Sequence, residues 1–188
     1  SATVDSPVSA ASIPSDGIAV GSSSGALTTL ATSGAVVWTA NVTSGIAGDI
    51  AATAEAVYVA SKSGTVHAFD ARTGAQVWRV DTVSTIRSGP ASDGAGRIVF
   101  ASDAVYSVSA DATAIVRFDV ADARIATPLA DGSGRVFVAR DGGYASMLSS
   151  DGIELWSTRS FGEVEAAVAS GAGVLFIANA DGRVFAVR

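Results

Sequence analysis

The chain has 188 residues and a mass of 18.6 kDa, and 12 Lys+Arg against 18 Asp+Glu leave a formal charge of −6. With no Cys there is no disulfide framework, thiolate zinc site or thiol nucleophile, and a pI near 4.6 lacks the dense basic patch of a nucleic-acid binder. No apolar run reaches the ~20 residues of a membrane-spanning helix, so the mean hydropathy of +0.40 reflects a core spread along the chain, and one domain is the default at this length.

In chain order, a first unit opens with small and apolar residues at 8–13 (VSAASI) and turns at Ser15-Asp16-Gly17. It runs as an aliphatic strand from Ile18 and turns to Gly25, which opens the alternating strand GALTTL. After Thr32-Ser33-Gly34 it ends on a strand carrying Trp38. The second unit repeats the order: IAAT at 50–53, a run from Val57, Gly64 opening GTVHAF, Arg72-Thr73-Gly74, then Trp78. The third turns through Asp93-Gly94-Ala95-Gly96 into a run from Ile98, has Ala104 in place of the glycine, and carries Phe118 where the others carry Trp. The fourth reads LAD at 129–131, Asp131-Gly132-Ser133-Gly134, a run from Val136, Gly143, Asp151-Gly152 and Trp156. The fifth has AVAS at 167–170, a turn to Gly173, a run from Leu175 and Gly182 opening GRVFAV.

Three residue classes therefore recur with one period of about 39 residues: the aromatics, the starts of the aliphatic runs and the turn glycines. Each unit reads as four strands joined by hairpin turns, and no window shows a helical period. Four-stranded units of this length are β-propeller blades, so the expected fold is all-β with about five blades, at 7–42, 48–82, 89–120, 127–159 and 166–188. Small residues suit the crowded inner strand, and one large aromatic per outer strand suits the blade-to-blade seam. Trp38, Trp78, Phe118 and Trp156 are expected to be equivalent and mostly buried, with Gly25, Gly64, Gly143 and Gly182 as structural turn residues.

The second unit, VYVASKSGTVHAFDARTGAQVW at 57–78, resembles the repeat of the quinoprotein (PQQ-like) propeller family. The match is carried by Gly64, Ala68, Phe69, Asp70, Thr73, Gly74 and Trp78. That family contains dehydrogenases holding pyrroloquinoline quinone and Ca²⁺ in an eight-bladed ring. It also contains a non-catalytic set, including the propeller lipoprotein of the outer-membrane β-barrel assembly machinery. The missing Cys pair and the count of fewer than five complete units set this chain apart from the enzymes, so the resemblance implies a non-catalytic member with no cofactor. The fifth unit stops after its alternating strand, without a Trp-bearing strand. The expected outcomes are a fragment of a larger propeller, a small ring with a three-stranded last blade, or arcs that complete one another as a homo-oligomer.

Little in the chain suggests chemistry. The single histidine, His67, lies in an alternating strand with no metal-ligating partner nearby in sequence and reads as an ordinary strand side chain. The Asp-Gly turns at Asp93, Asp131, Asp151 and Asp181 read as hairpins rather than Ca²⁺ loops, and Glu163 and Glu165 as a solvated acidic loop. Function is expected on one loop face, made by the connections 41–48, 81–90, 119–128 and 157–166 and the turns 22–25, 61–64, 140–143 and 179–182. Arg87, Arg124 and Arg159 recur there in successive connections, with Phe161 nearby and Arg140 and Lys62 in turns; Arg and exposed aromatics are interface residue types. The reading is a protein-interaction or surface-display scaffold in the periplasm or at the cell surface, with a protein partner and no metal. The alternatives are a ligand-sensing or carbohydrate-binding propeller and a fragment of a PQQ-dependent dehydrogenase.

Overall fold

In a computed structural model, the structure describes residues 6–14, 17–86, 88–93, 96–120, 128–159, 162, 164–169 and 174–187. Among the described residues nineteen strands fall into five antiparallel sheets, each a meander of consecutive strands. Sheet 1 contains β1 (Pro7–Ile13), β2 (Gly17–Ser22), β3 (Ala26–Leu30) and β4 (Val36–Asn41). Sheet 2 contains β5 (Ile46–Ala52), β6 (Ala56–Ser61), β7 (Thr65–Asp70) and β8 (Gln76–Asp81). Sheet 3 contains β9 (Ala91–Ser92), β10 (Arg97–Ala101), β11 (Val105–Ser109) and β12 (Ile115–Phe118). Sheet 4 contains β13 (Leu129–Ala130), β14 (Val136–Arg140), β15 (Tyr144–Leu148) and β16 (Glu154–Arg159), and sheet 5 contains β17 (Val164–Ala169), β18 (Leu175–Asn179) and β19 (Val184–Val187). The one helical element among the described residues is a 3₁₀ turn at Asp141–Gly143.

The first strand of each sheet packs on the first strand of the next: β1 on β5, β5 on β9, β9 on β13 and β13 on β17. Those strands form the hub, and small residues are required there. A Cβ on Gly48 would stand 2.3 Å from the Gly89 nitrogen, and one on Gly89 would stand 2.0 Å from the Asp49 carbonyl oxygen. β5 begins at Ile46, inside the segment 41–48 expected as a loop. It accommodates the extra residues through a bulge between Ala47 and Ala51.

Four seams hold the sheets together, each with its own core. Ala19, Leu27 and Trp38 of sheet 1 meet Val57, Val59 and Phe69 of sheet 2. Tyr58, Ala68 and Trp78 then meet Ile98, Phe100 and Val108 of sheet 3. Val99, Val105 and Phe118 meet Val136, Val138 and Leu148, and finally Phe137 and Trp156 meet Leu175 and Ile177. Strands β6 and β10 are consequently buried on both faces, and their sequences read as unbroken apolar runs. Among the described residues, sheets 1 and 5 are covered on one face only: Ile18 is 42% exposed beside buried Ala19, and Phe176 is 43% exposed between buried Leu175 and Ile177.

The outer strands show why the aromatics recur, and where one departs. Trp38 lies opposite Thr29, Trp78 opposite Ala68 and Trp156 opposite Met147, each just after a bulge that turns one residue out (Val37, Val77, Leu155). Those three residues are more than half exposed. β12 has no such bulge, so Val116, opposite Ser107, occupies the register of the tryptophans, and Phe118 lies two residues further on, opposite Val105. Phe118 is therefore not the register equivalent of the tryptophans. Residue counting aligned it because the missing bulge is invisible in sequence. Trp156 is less deeply buried than Trp38 and Trp78, which are 8% and 9% exposed.

Candidate functional site

The β2–β3 and β6–β7 turns lie on the same face as the connections that follow sheets 1 and 2, because each of those two connections is tied to the turn of its own sheet. Val42 N–H donates to the Gly25 carbonyl at 2.9 Å, and Thr82 N–H donates to the Gly64 carbonyl at 2.8 Å. Passing on, the connection meets the next sheet: Gly45 O accepts from Lys62 N–H at 3.0 Å, and Ser84 O accepts from the Ser102 hydroxyl at 2.8 Å. The approach is close enough to dictate glycine. A Cβ on Gly25 would stand 2.1 Å from Val42 O, one on Gly64 2.4 Å from Ser84 O, and one on Gly143 2.3 Å from Gly162 O. Gly182, in the last sheet, has open space at that position.

The floor of this face is hydroxyl-rich. Thr82 Oγ1 lies 2.8 Å from both the Gly64 and the Ser84 carbonyl oxygens, its one proton shared between them, and 2.9 Å from Ser102 Oγ; Ser22 and Ser24 pair in the first turn. Its outer rim is charged but largely self-neutralised. Arg79 pairs with Asp81 at 2.8 Å, and Arg117 bridges Asp103 and Asp119. Hydrogen bonds from Arg79 and Thr65 hold the Asp81 carboxyl below its usual range. At Asp103 burial pushes upward, but the hydrogen bonds from Arg117 and Tyr106 outweigh it and the carboxyl is lowered.

Of the six expected binding residues, Arg87, Arg124 and Phe161 lie outside the described residues, as does the side chain of Arg140. Lys62 is exposed on the β6–β7 turn, and no described carboxylate pairs with it. Arg159 is held within its own sheet: its Nε–H donates to Gly142 O at 3.3 Å, and its guanidinium sits 5.3 Å over the Tyr144 ring. Lys62 and Arg159 belong to sheets 2 and 4, so the fold places them on one face but two sheets apart. Tyr144, 43% exposed, and the Asp103–Tyr106–Arg117 cluster were missed in the sequence. Only cross-strand pairing brings those residues together, and no local spacing encodes it.

His67 is not on this face. It is buried in the seam between sheets 1 and 2, stacked on Phe69, with Nδ1 3.1 Å from Gln76 Oε1 and Nε2 buried without a partner. Asp131 is a turn cap: its Oδ1 accepts from Ser133 N–H, the Ser133 hydroxyl and Arg135 N–H, while Oδ2 pairs with Arg135. Among the described residues no group of three or more His, Asp or Glu side chains could hold a metal ion. The described donors by themselves do not make up a Ca²⁺ centre. Glu163 and the side chain of Glu165 lie outside the described residues.

Antiparallel four-stranded sheets joined hub to hub, with one face given over to tied-down turns, define a β-propeller of PQQ-like repeats. A profile of the family described as outer membrane protein assembly factor BamB matches residues 23–126, and the chain belongs to that family. Among solved structures it resembles BamB from Moraxella catarrhalis, with a TM-score of 0.78 and 19% identity over 96% of this chain and 63% of that one. It also resembles the β-propeller domain of Myceliophteria thermophila Cps50 (Swd1), with a TM-score of 0.80 and 13% identity over all of this chain and 68% of that one. At these identities both likenesses speak for the fold alone, and the chain spans less than two thirds of the Moraxella protein. No curated protein sequence matches it.

Proposed function

We propose that the protein is a non-catalytic scaffold of the cell envelope that presents its loop face to a protein partner. The observation that carries this reading is the repeated tie between turn and connection, Val42 to Gly25 and Thr82 to Gly64. It turns variable segments into a fixed surface, and a fixed surface lowers the entropy cost of binding. Family membership supports the same reading, since BamB is named as an outer membrane protein assembly factor, and supports a periplasmic, outer-membrane-associated location. On this reading Arg87, Arg124, Arg140, Arg159, Lys62 and Phe161 supply the contacts, with Tyr144 holding the Arg159 guanidinium over its ring.

The test is crosslinking in envelope fractions, followed by affinity measurement with the partner recovered. Arg87→Ala combined with Arg159→Ala should weaken binding at least tenfold, while the thermal midpoint stays within about 2 °C because surface substitutions cost little. Unchanged affinity in that double variant refutes the loop face as the binding surface. Recovery of the chain solely in the cytoplasm refutes the location.

A further inference from the structure

The end of the strands opposite the tied turns carries a groove of about 660 Å³, within the ~300–1,000 Å³ of ordinary ligand sites. It runs between the β5–β6 turn of sheet 2 and the β9–β10 and β11–β12 turns of sheet 3, and Pro14, just after β1, completes its wall. The apolar lining is small: Ala52, Ala54, Gly96 and Ala110. Backbone hydrogen bonds fix the turns that frame it. Ala71 N–H donates to Glu55 O at 2.9 Å, and Ala110 N–H donates to Gly96 O at 2.7 Å. The groove is therefore built before anything enters it.

Its polar groups are few and of one kind. Tyr58 is only 2% exposed yet lines the groove, as does Thr53, which hydrogen-bonds its side chain. Burial raises the phenol above its usual value, the Thr53 hydrogen bond opposes that, and the nearby Glu55 charge adds to it. Glu55 is itself exposed in the lining and forms no ion pair among the described residues. The cations on the adjoining turns are engaged elsewhere: Arg72 acts on Asp70, and Arg97 Nη1–H donates to Ser107 Oγ at 3.3 Å. Asp111 follows Ala110 at the rim, where hydrogen bonds from Ser109 and Thr113 all end on its Oδ1. Around the groove Glu55, Asp70, Asp93 and Asp111 thus stand against Arg72 and Arg97. We propose that this groove binds an extended basic segment of a partner protein, a lysine or arginine laying its alkyl stem on the alanines and its charged head against Glu55 and the Tyr58 hydroxyl. The occupant is argued from charge complementarity: an apolar channel ending on an unpaired carboxylate matches a side chain with an apolar stem and a cationic tip. The groove shares no residue with the loop face, so its failure leaves that reading standing.

The probe is a short fluorescein-labelled peptide of alternating lysine and alanine, read by fluorescence anisotropy against the 188-residue chain at physiological salt. Saturable binding is expected, with the amide resonances of Ala54 and Glu55 shifting, and the same peptide with glutamate for lysine should not bind. Glu55→Gln should weaken the affinity at least tenfold. Ala54→Leu, which fills the floor from an exposed turn position, should do the same. Both should leave the circular-dichroism melt unchanged, since neither residue is in the core. Asp81→Asn removes a carboxylate at the other end of the strands and should leave the affinity within about twofold. Absence of saturable binding, or equal binding by the Glu55→Gln or Ala54→Leu chain, overturns the proposal. So does an equal loss in Asp81→Asn and Glu55→Gln, because the peptide would then follow net charge rather than the groove.

Discussion

At the scale of single residues, the hairpin glycines separate two reasons for keeping glycine. Gly34 and Gly74 share a left-handed φ, but only Gly74 lies beneath a ring. Gly34→Ala should cost the conformational penalty alone, about 1–2 kcal/mol. Gly74→Ala should cost about 1–3 kcal/mol more because Trp38 must move, and urea denaturation of the two variants measures the difference. His67 supplies a pH dependence. Burial lowers its pKa below the usual 6.5, outweighing the hydrogen bond to Gln76, so the folded state keeps it neutral. The unfolded chain takes up the proton first, so stability is full above about pH 6.5 and falls with pH down through the lowered folded value. His67→Gln should lack that decline. A second loss begins lower, below the ordinary Asp value of 3.8. Asp111 is held at about 2 by hydrogen bonds from Ser109 and Thr113, and its contribution disappears as the pH passes through that value.

At the scale of elements, the outer strand works as a fastener. Its bulge turns an aliphatic residue to solvent, aims the tryptophan into the seam, and keeps the strand edge irregular, which discourages edge-to-edge pairing with other molecules. Trp38→Ala and Trp78→Ala should each cost about 3–5 kcal/mol, and half-buried Trp156→Ala clearly less. Trp38→Phe removes the hydrogen bond to Ala71 together with part of the ring, and should cost about 1–3 kcal/mol for the buried carbonyl that loses its donor plus the lost packing. Chemical denaturation reads all four. Much of this was legible in the sequence, because the period of the unit, the hairpin glycines and the double-sided burial of β6 and β10 are written in residue type and spacing. The register of Phe118 was not, since a bulge is a property of the paired strand and leaves no mark on composition. The polar loop face was legible only as a location: Arg159 turns back onto Tyr144 through a cross-strand pairing that no local pattern announces.

At the scale of the whole molecule, stability is distributed sheet by sheet, because contacts run between neighbours along the array. Sheets 2, 3 and 4 are gripped from both sides and sheets 1 and 5 from one. Hydrogen exchange followed by mass spectrometry should therefore find the amides of β6, β7, β10 and β11 slowest and those of β19 among the fastest. Uniform protection across all five sheets would contradict this gradient.

The meeting of Gly48 with Gly89 has a consequence for how such proteins change over time. Where two backbones touch without side chains, the wedge angle between adjoining units is governed near the axis by a pair of hydrogen atoms, however bulky the rings outside. One methyl group introduced there would push the inner strands apart, narrow that angle and enlarge the circle to which the units belong. The number of units needed to complete a turn is thus adjustable by the smallest mutations available.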